Sequence, residues 1–323
     1  YFEKEGYSIP IPSCSAIVAA AYKEWGLDFM NHLDGEFSCA IWDSIEKKLV
    51  LARDPYGHKP LHYHVTKDKF LFSSEIKGLL HYGIESQIDL LSLNNYLSLN
   101  CIPYPSTIFK GIIQVPPGSL FEVKQEGIRI NRYWYHNMAV DETIPLTRAV
   151  EELDDAIQNA IRRRLVTKDV YCFLSGGVDS SAIVSYASEI IGKPIHAVSV
   201  GFHEDEANEL EDAACMAKYV GAIHHPIIAS RDSFFDMLDI LVHHHDSPFT
   251  DTSAYPTYYA AKLASELTDT ILTGDGPDQI MCGSGHHVFA IQNNLFAERN
   301  KVFQRVLRLG SSCIGKLLKD PTP

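Results

Sequence analysis

The turn Ser175-Gly176-Gly177-Val178-Asp179-Ser180-Ser181, set between two apolar segments, leaves few folds open to this chain. Before it runs Val170-Tyr171-Cys172-Phe173-Leu174, an apolar stretch of strand length. After it, Ile183, Tyr186, Ala187, Ile190 and Ile191 recur at helical spacing. A buried strand, a tight turn and an amphipathic helix in this order predict part of a doubly wound sheet. Such sheets bind ligands beyond the carboxyl ends of their strands. The two glycines let the backbone approach an anion closely and turn its N–H groups inward. Ser175, Ser180 and Ser181 add hydroxyl groups, and the helix adds its positive end. The combination reads as a pyrophosphate cradle that uses no lysine. It is not a Walker A loop, whose Gly-Lys-Ser/Thr ending is absent. Asp179 points to a magnesium ion held by a carboxylate and diphosphate oxygens.

The surrounding sequence agrees with a parallel α/β sheet. Helical periodicity runs over Ala149 to Leu165, Asp212 to Val220 and Ala254 to Leu267. Strand candidates are Ile195 to Val200, Ile223 to Ile228 and Thr270 to Thr273. The last of these opens a second cluster, Leu272-Thr273-Gly274-Asp275-Gly276-Pro277-Asp278. A Gly-Asp-Gly turn alone is usually just a turn. Paired with the first motif in one domain, its two carboxylates and Asp179 read as oxygen ligands of the kind magnesium prefers.

The N-terminal part has a different texture. From Gly35 to about Trp134 short apolar runs predict strands over Phe37 to Trp42, Lys48 to Ala52, Leu61 to Tyr63 and Phe70 to Phe72. Helical pieces are expected over Ser15 to Trp25 and Glu75 to His81. Pro103, Pro105, Pro116, Pro117 and Gly118 punctuate a loop-rich section. A domain boundary is expected near residues 136 to 147, in keeping with a length of 323 residues. The net charge of -13 argues against a nucleic-acid partner, because phosphate backbones need a basic surface. No apolar run is long enough to cross a membrane, and Tyr1 to Tyr7 contain no signal-peptide core. Seven cysteines without a C-x-x-C pair read as reduced thiols of a cytoplasmic protein. A first residue of Tyr rather than Met suggests a processed or incomplete N-terminus.

The two motifs, in this order, resemble the synthetase domain of the glutamine-hydrolysing asparagine synthetase family, which belongs to the ATP-pyrophosphatase (PP-loop) superfamily. Leu33-Asp34-Gly35-Glu36-Phe37, Ala52 to Leu61, Ser74-Glu75-Ile76-Lys77, Pro116-Pro117-Gly118 and Tyr133-Trp134 resemble the class II glutamine amidotransferase domain of that family. Ser199-Val200-Gly201-Phe202, His224-His225 and Asp246 to Asp251 match later in order. The resemblance implies two domains, of α/β and α+β class. Residues 1–140 would be a partial Ntn-type amidotransferase β-sandwich lacking its N-terminal start. Residues 141–323 would be a doubly wound parallel-sheet ATP-pyrophosphatase domain, truncated at its C-terminus. It implies ATP and Mg2+, with pyrophosphate at Ser175 to Ser181 and magnesium on Asp179 and Asp278. The adenosine part would contact Phe173, Leu174, Val200, Thr273 and Gly274, largely through backbone. Asp275 falls where the family has an acidic residue tied to forming the acyl-adenylate. The implied reaction converts aspartate, or another carboxylate, to an amide through an acyl-AMP, with nitrogen from glutamine or ammonia. A homodimer, no nucleic acid and no membrane complete the expectation.

The chain also departs from the family pattern. Residue 1 is Tyr, where the family's glutaminase begins with a nucleophilic cysteine. Cys14 stands where the family has an Asp that contacts the amino group of glutamine. An internal cysteine has no free α-amino group to act as base, so Cys14 is not read as a nucleophile. Gln279 replaces an acidic residue, and the helical stretch that supplies a lysine in the family is not recognisable before Pro323. Weak or no full turnover is the expectation for the chain as it stands. Alternative readings are a β-lactam synthetase or peptide cyclase type of acceptor, a tRNA-modifying ATP pyrophosphatase, and a non-catalytic remnant. His243-His244-His245 reads as a helix end, and Arg162-Arg163-Arg164 as a solvated helix face from which Arg164 would reach phosphates in the functional alternative. His286-His287 is a weak active-site candidate. Glu75 and Lys77 are candidates for the domain junction.

Overall fold

The computed structural model describes residues 13–136, 139, 141, 143–202, 209–229, 234–283, 287 and 292. The N-terminal residues read above for a signal peptide, and His286, lie outside the described residues. Two compact units emerge: the chain up to Thr143 together with Phe235–Thr252, and Ile144–Phe234 together with the chain from Ser253 on.

The first unit opens with helix α1 (Cys14–Trp25), whose N-terminus is capped by Ser13 Oγ accepting from Ala16 N at 3.2 Å. A 3-10 helix over Gly26–His32 follows. Strands β1 (Ser38–Asp43), β2 (Lys48–Arg53), β3 (His62–Val65) and β4 (Phe70–Ser73) then lead to helices α2 (Ile76–His81) and α3 (Leu90–Leu99). Strands β5 (Ile113–Gln114), β6 (Ser119–Lys124) and β7 (Gly127–Arg132) complete two antiparallel sheets, ordered β1-β2-β6-β7 and β4-β3-β5. Strand alternation sorts the side chains into layers. Leu51 and Phe121, partners across β2 and β6, pack with Leu61, Tyr63 and Phe70 of the second sheet. Their neighbours Val50, Ala52 and Leu120 face Ala21 of α1 and Phe29 instead. On the outer side of the second sheet, Leu71 meets Ile76 and Leu79 of α2. The result is an α-β-β-α sandwich. Each fully buried Leu or Phe in it contributes about 2 kcal/mol.

The second unit begins with helix α4 (Leu146–Arg164), then β8 (Tyr171–Phe173), α5 (Val178–Ile191), β9 (His196–Phe202), α6 (Leu210–Val220) and β10 (Ile223–Ala229). Helix α7 (Phe234–His245) follows, assigned from Phe235 on to the first unit, and then α8 (Ala254–Leu267) and the short α9 (Pro277–Ile280). The three strands pair in parallel in the order β10-β9-β8. Of the strand expected over Thr270 to Thr273, only Leu272 pairs, in a parallel bridge to Cys172. Phe173 N donates to Leu272 O and Leu272 N to Tyr171 O, at 2.9 and 2.8 Å. Ile161, Val184, Ala187, Ala213 and Ala217 from α4, α5 and α6 bury one face of the sheet against Cys172, Leu174 and Ala197. Helix α8 packs on β9 and β10.

Candidate active site

Strand order dictates where the second unit can bind a ligand. From β8 the chain winds outward through β9 to β10, then returns through α8 to place Leu272 on the other side of β8. The reversal between β8 and Leu272 is a topological switch point, the place where open α/β sheets bind ligands. Both sequence motifs leave their strands at this place. Their loops touch: a Cβ added to Gly274 would sit 2.9 Å from Ser180 N and 3.0 Å from the carbonyl carbon of Asp179. Only glycine lets the second loop lie against the first this closely.

The first loop is built by its own serines. Ser180 is buried, and its hydroxyl donates to Gly177 O at 3.2 Å while accepting from Ser175 N at 3.2 Å. It also lies 3.0 Å from Ser175 Oγ, which accepts from Gly177 N at 3.2 Å. Gly176 turns the chain at φ +91, against Asp212 and Ala213 at the start of α6. This folding spends the hydroxyl of Ser180 inside the loop, where the sequence had suggested a ligand donor. The backbone N–H groups of Gly176, Val178, Asp179 and Ser180 find no acceptor among the described residues. They stand at the N-terminus of a helix of 14 residues, the arrangement that attracts an oxyanion.

Of the other residues singled out, Phe173 ends the strand below this loop and Leu174 follows it, buried with its N–H on Val198 O at 2.9 Å. Val200 is half-buried in β9, and Ser181 is half-buried in the first turn of α5. Thr273, Asp275 and Asp278 are exposed on the second loop, and Asp179 is half-buried on the first. The carboxylate of Asp278 lies against Gly283. Among the described residues no group of three or more His, Cys, Asp or Glu side chains converges as a metal cage. Cys172, beneath the loop, is fully buried, and burial pushes its thiol up to about 12, so it is no nucleophile.

The simpler readings of the basic and histidine runs agree with their surroundings. Arg162 and Arg164 are exposed and donate back to Gln158 and to Ala160 O of their own helix. His243-His244-His245 ends α7, with His245 stacked on Phe249. In the first unit, Lys77 Nζ bridges Glu75 at 3.2 Å and Asp246 at 3.1 Å. A cavity of about 540 Å3 there is lined by His62, Glu75, Cys101 and Asp246 among others, and by no loop residue named above. Cys14 is exposed at the start of α1. Sequence reasoning gave no site role to Asp212, whose place beside Gly176 depends on a positive φ, or to Ser199, which hydrogen-bonds beneath the loop.

Comparison with known proteins bears on both units. A glutamine amidotransferase domain model matches residues 2–134, and an asparagine synthase model matches residues 152–316. Asparagine synthetase (glutamine-hydrolyzing) 1 of Bacillus subtilis is 32% identical over 283 residues, covering 87% of this chain and 44% of that protein. Asparagine synthetase (glutamine-hydrolyzing) 3 of the same organism is 31% identical over 301 residues, covering 86% and 48%. Amidase chyE of Penicillium rubens is 28% identical over 287 residues, covering 83% and 42%. The chain thus spans less than half the length of these relatives. Because the asparagine synthase model matches half of the sequence, over the same residues that build the switch-point loops, the chain belongs to the asparagine synthase family.

Proposed function

We propose that the second unit binds ATP with its phosphates on the Ser175–Ser181 loop and activates a carboxylate as an acyl-adenylate, which ammonia then converts to an amide. The observation that carries this reading is the set of N–H groups at Gly176, Val178, Asp179 and Ser180 without an acceptor among the described residues, on the loop that leaves β8 at the switch point. Membership of the asparagine synthase family supports it. A carboxylate is a poor acyl donor until its oxygen becomes a good leaving group, and transfer to AMP achieves that. In the specific form we favour, a side-chain carboxylate oxygen of aspartate attacks the α-phosphorus of ATP and diphosphate leaves. Ammonia next attacks the acyl carbon, AMP leaves, and loss of a proton gives asparagine.

The loop N–H groups hold the diphosphate, whose negative charge grows as it departs. The backbone around Phe173, Leu174, Val200, Thr273 and Gly274 receives the adenosine part. Asp275 is the acidic residue assigned to forming the acyl-adenylate. Magnesium is usually held by one or two carboxylates plus substrate phosphates, not by a protein cage. Asp179 and Asp278, on two loops in contact, fit that donor set. Bound there, the ion would neutralise charge on the departing diphosphate. The matched amidotransferase domain makes glutamine the proposed nitrogen source. A cytoplasmic location, supported by free thiols at all described cysteines, and a homodimeric state complete the proposal. Among the described residues no helix is long and apolar enough to cross a membrane.

Exchange of labelled diphosphate into ATP tests this function, with aspartate, Mg2+ and added ammonium present or withheld. Exchange that requires aspartate is the expected result. No exchange with any carboxylate, together with no ATP binding, would overturn it. A second reading keeps adenylation but changes the acceptor, and the amidases of Penicillium rubens and Gibberella zeae among the relatives favour it. Exchange that ignores aspartate and responds to another carboxylate would select it.

A further inference from the structure

The peptide unit that opens the loop is gripped from both ends. On one side, the N–H of Ser175 donates to Ser180 Oγ at 3.2 Å. On the other, the carbonyl of Leu174 accepts from Ser199 Oγ at 2.6 Å. Ser199 lies in β9 and is 2% exposed. Behind it stands His224 of β10, with Nε2 at 2.9 Å from Ser199 Oγ. The donors and acceptors allow one assignment. The hydroxyl proton of Ser199 is committed to the Leu174 carbonyl, so only lone pairs remain toward His224, and Nε2–H must donate. A chain of two hydrogen bonds therefore crosses three strands, from β10 through β9 to the end of β8.

We infer that Ser199 and His224 are positioning residues for nucleotide binding: they fix the Leu174–Ser175 peptide plane and so aim the N–H groups that follow it. This inference rests on the nucleotide reading above. A buried hydroxyl in a sheet core adds little net stability, because it exchanges hydrogen bonds to water for hydrogen bonds to protein. Here it directs a backbone group. Rotation of the peptide plane would carry Ser175 N away from Ser180 Oγ and open the turn that holds Gly176 at φ +91. The free N–H groups downstream would lose their common aim, and preorganised donors are worth most when they need no rearrangement. His224 holds the rotor of Ser199. Burial and the neighbouring His225 lower its pKa, so the ring is neutral at neutral pH, with the proton on Nε2.

The test uses the whole chain, with ATP and Mg2+ titrated by calorimetry and diphosphate exchange followed in parallel. Ser199→Ala should weaken ATP about tenfold, the worth of one directed hydrogen bond. His224→Leu should weaken it less, and His224→Gln, which keeps a donor near the Nε2 position, should match the parent. The Ser199→Ala/His224→Leu pair should bind no worse than Ser199→Ala alone, because both act through one carbonyl. The KM for ATP should rise while the KM for the carboxylate stays unchanged, which a general loss of structure would not produce. ATP affinity of Ser199→Ala within about twofold of the parent, or losses that multiply in the pair, would overturn the relay. If Ser199→Ala does not fold, equal affinities for His224→Leu and His224→Gln would overturn it. Failure of the parent chain to bind ATP would instead remove the nucleotide reading, and the relay with it.

Discussion

Two loops leave buried strands of this chain rich in polar groups, and they finish in opposite states. After β2, the fully buried carboxylate of Asp54 accepts from the N–H groups of Tyr56, His58 and Lys59 at 3.1, 3.0 and 3.1 Å. Arg53 next to it donates to the carbonyls of Lys59, Val115 and Gly57 at 2.9, 2.7 and 2.7 Å. Burial alone would raise the Asp54 pKa. The N–H groups of Lys59 and His58 and the His58 ring overcome that and hold it below the usual carboxylate range. After β8, Ser175 and Ser180 close only part of the turn, and four N–H groups stay open. Both segments stood out in the sequence as motifs. A motif whose donors are consumed internally is a knot holding a fold. One whose donors remain free at a switch point is, in the function proposed here, where the nucleotide would bind.

The largest effect is expected at the open loop. Asp179→Asn should cut Mg2+-dependent diphosphate exchange about a thousandfold while circular dichroism stays unchanged. Next comes the closed loop. Asp54→Ala leaves three N–H groups without their acceptor and should cost the first unit about 3 kcal/mol in denaturant unfolding. A neutral result there would dissolve the contrast between the loops. Gly274→Ala forces a Cβ onto the backbone of Asp179 and Ser180 and should slow exchange about a hundredfold through misalignment, with little change in melting temperature. The smallest effect is in pH. Burial is the leading cause lowering the pKa of His62 in the first unit and of His224 and His225 in the second. The unfolded chain therefore takes up these protons first. Their stability contribution is whole above about pH 6.5 and is lost as pH falls toward the folded values. Thermal unfolding should move to lower temperature between neutral and mildly acidic pH. His62→Gln should flatten that dependence in the first unit only.

Much of the second unit was legible because its signals are local. The run Val170 to Leu174 holds β8, the turn is the loop, the stripe from Ile183 to Ile191 lies in α5, and α8 spans Ala254–Leu267 as its periodicity predicts. The first four strands of the sandwich were visible for the same reason. Helix α3 was not, since it buries Ser92 and exposes Leu90, Leu91 and Leu97, so its apolar residues do not mark its packed face. Strand β7 is exposed along its length and carries no burial pattern. Nor could sequence show that Asp246 turns back to Lys77, a pairing of residues 169 positions apart. At the site, residue types announced the loop, but the spending of Ser180 inside it and the support from Ser199 depend on distances that no spacing encodes.

Amide hydrogen exchange on the whole chain, with and without ATP and Mg2+, reads out whether the free N–H groups of the loop receive the nucleotide's phosphates. Strong protection should appear across Gly176 to Ser180 on adding nucleotide, with no change from Asp54 to Lys59, whose amides are already bonded. Unchanged exchange at Gly176 to Ser180 under saturating nucleotide would mean that these N–H groups do not bind phosphate.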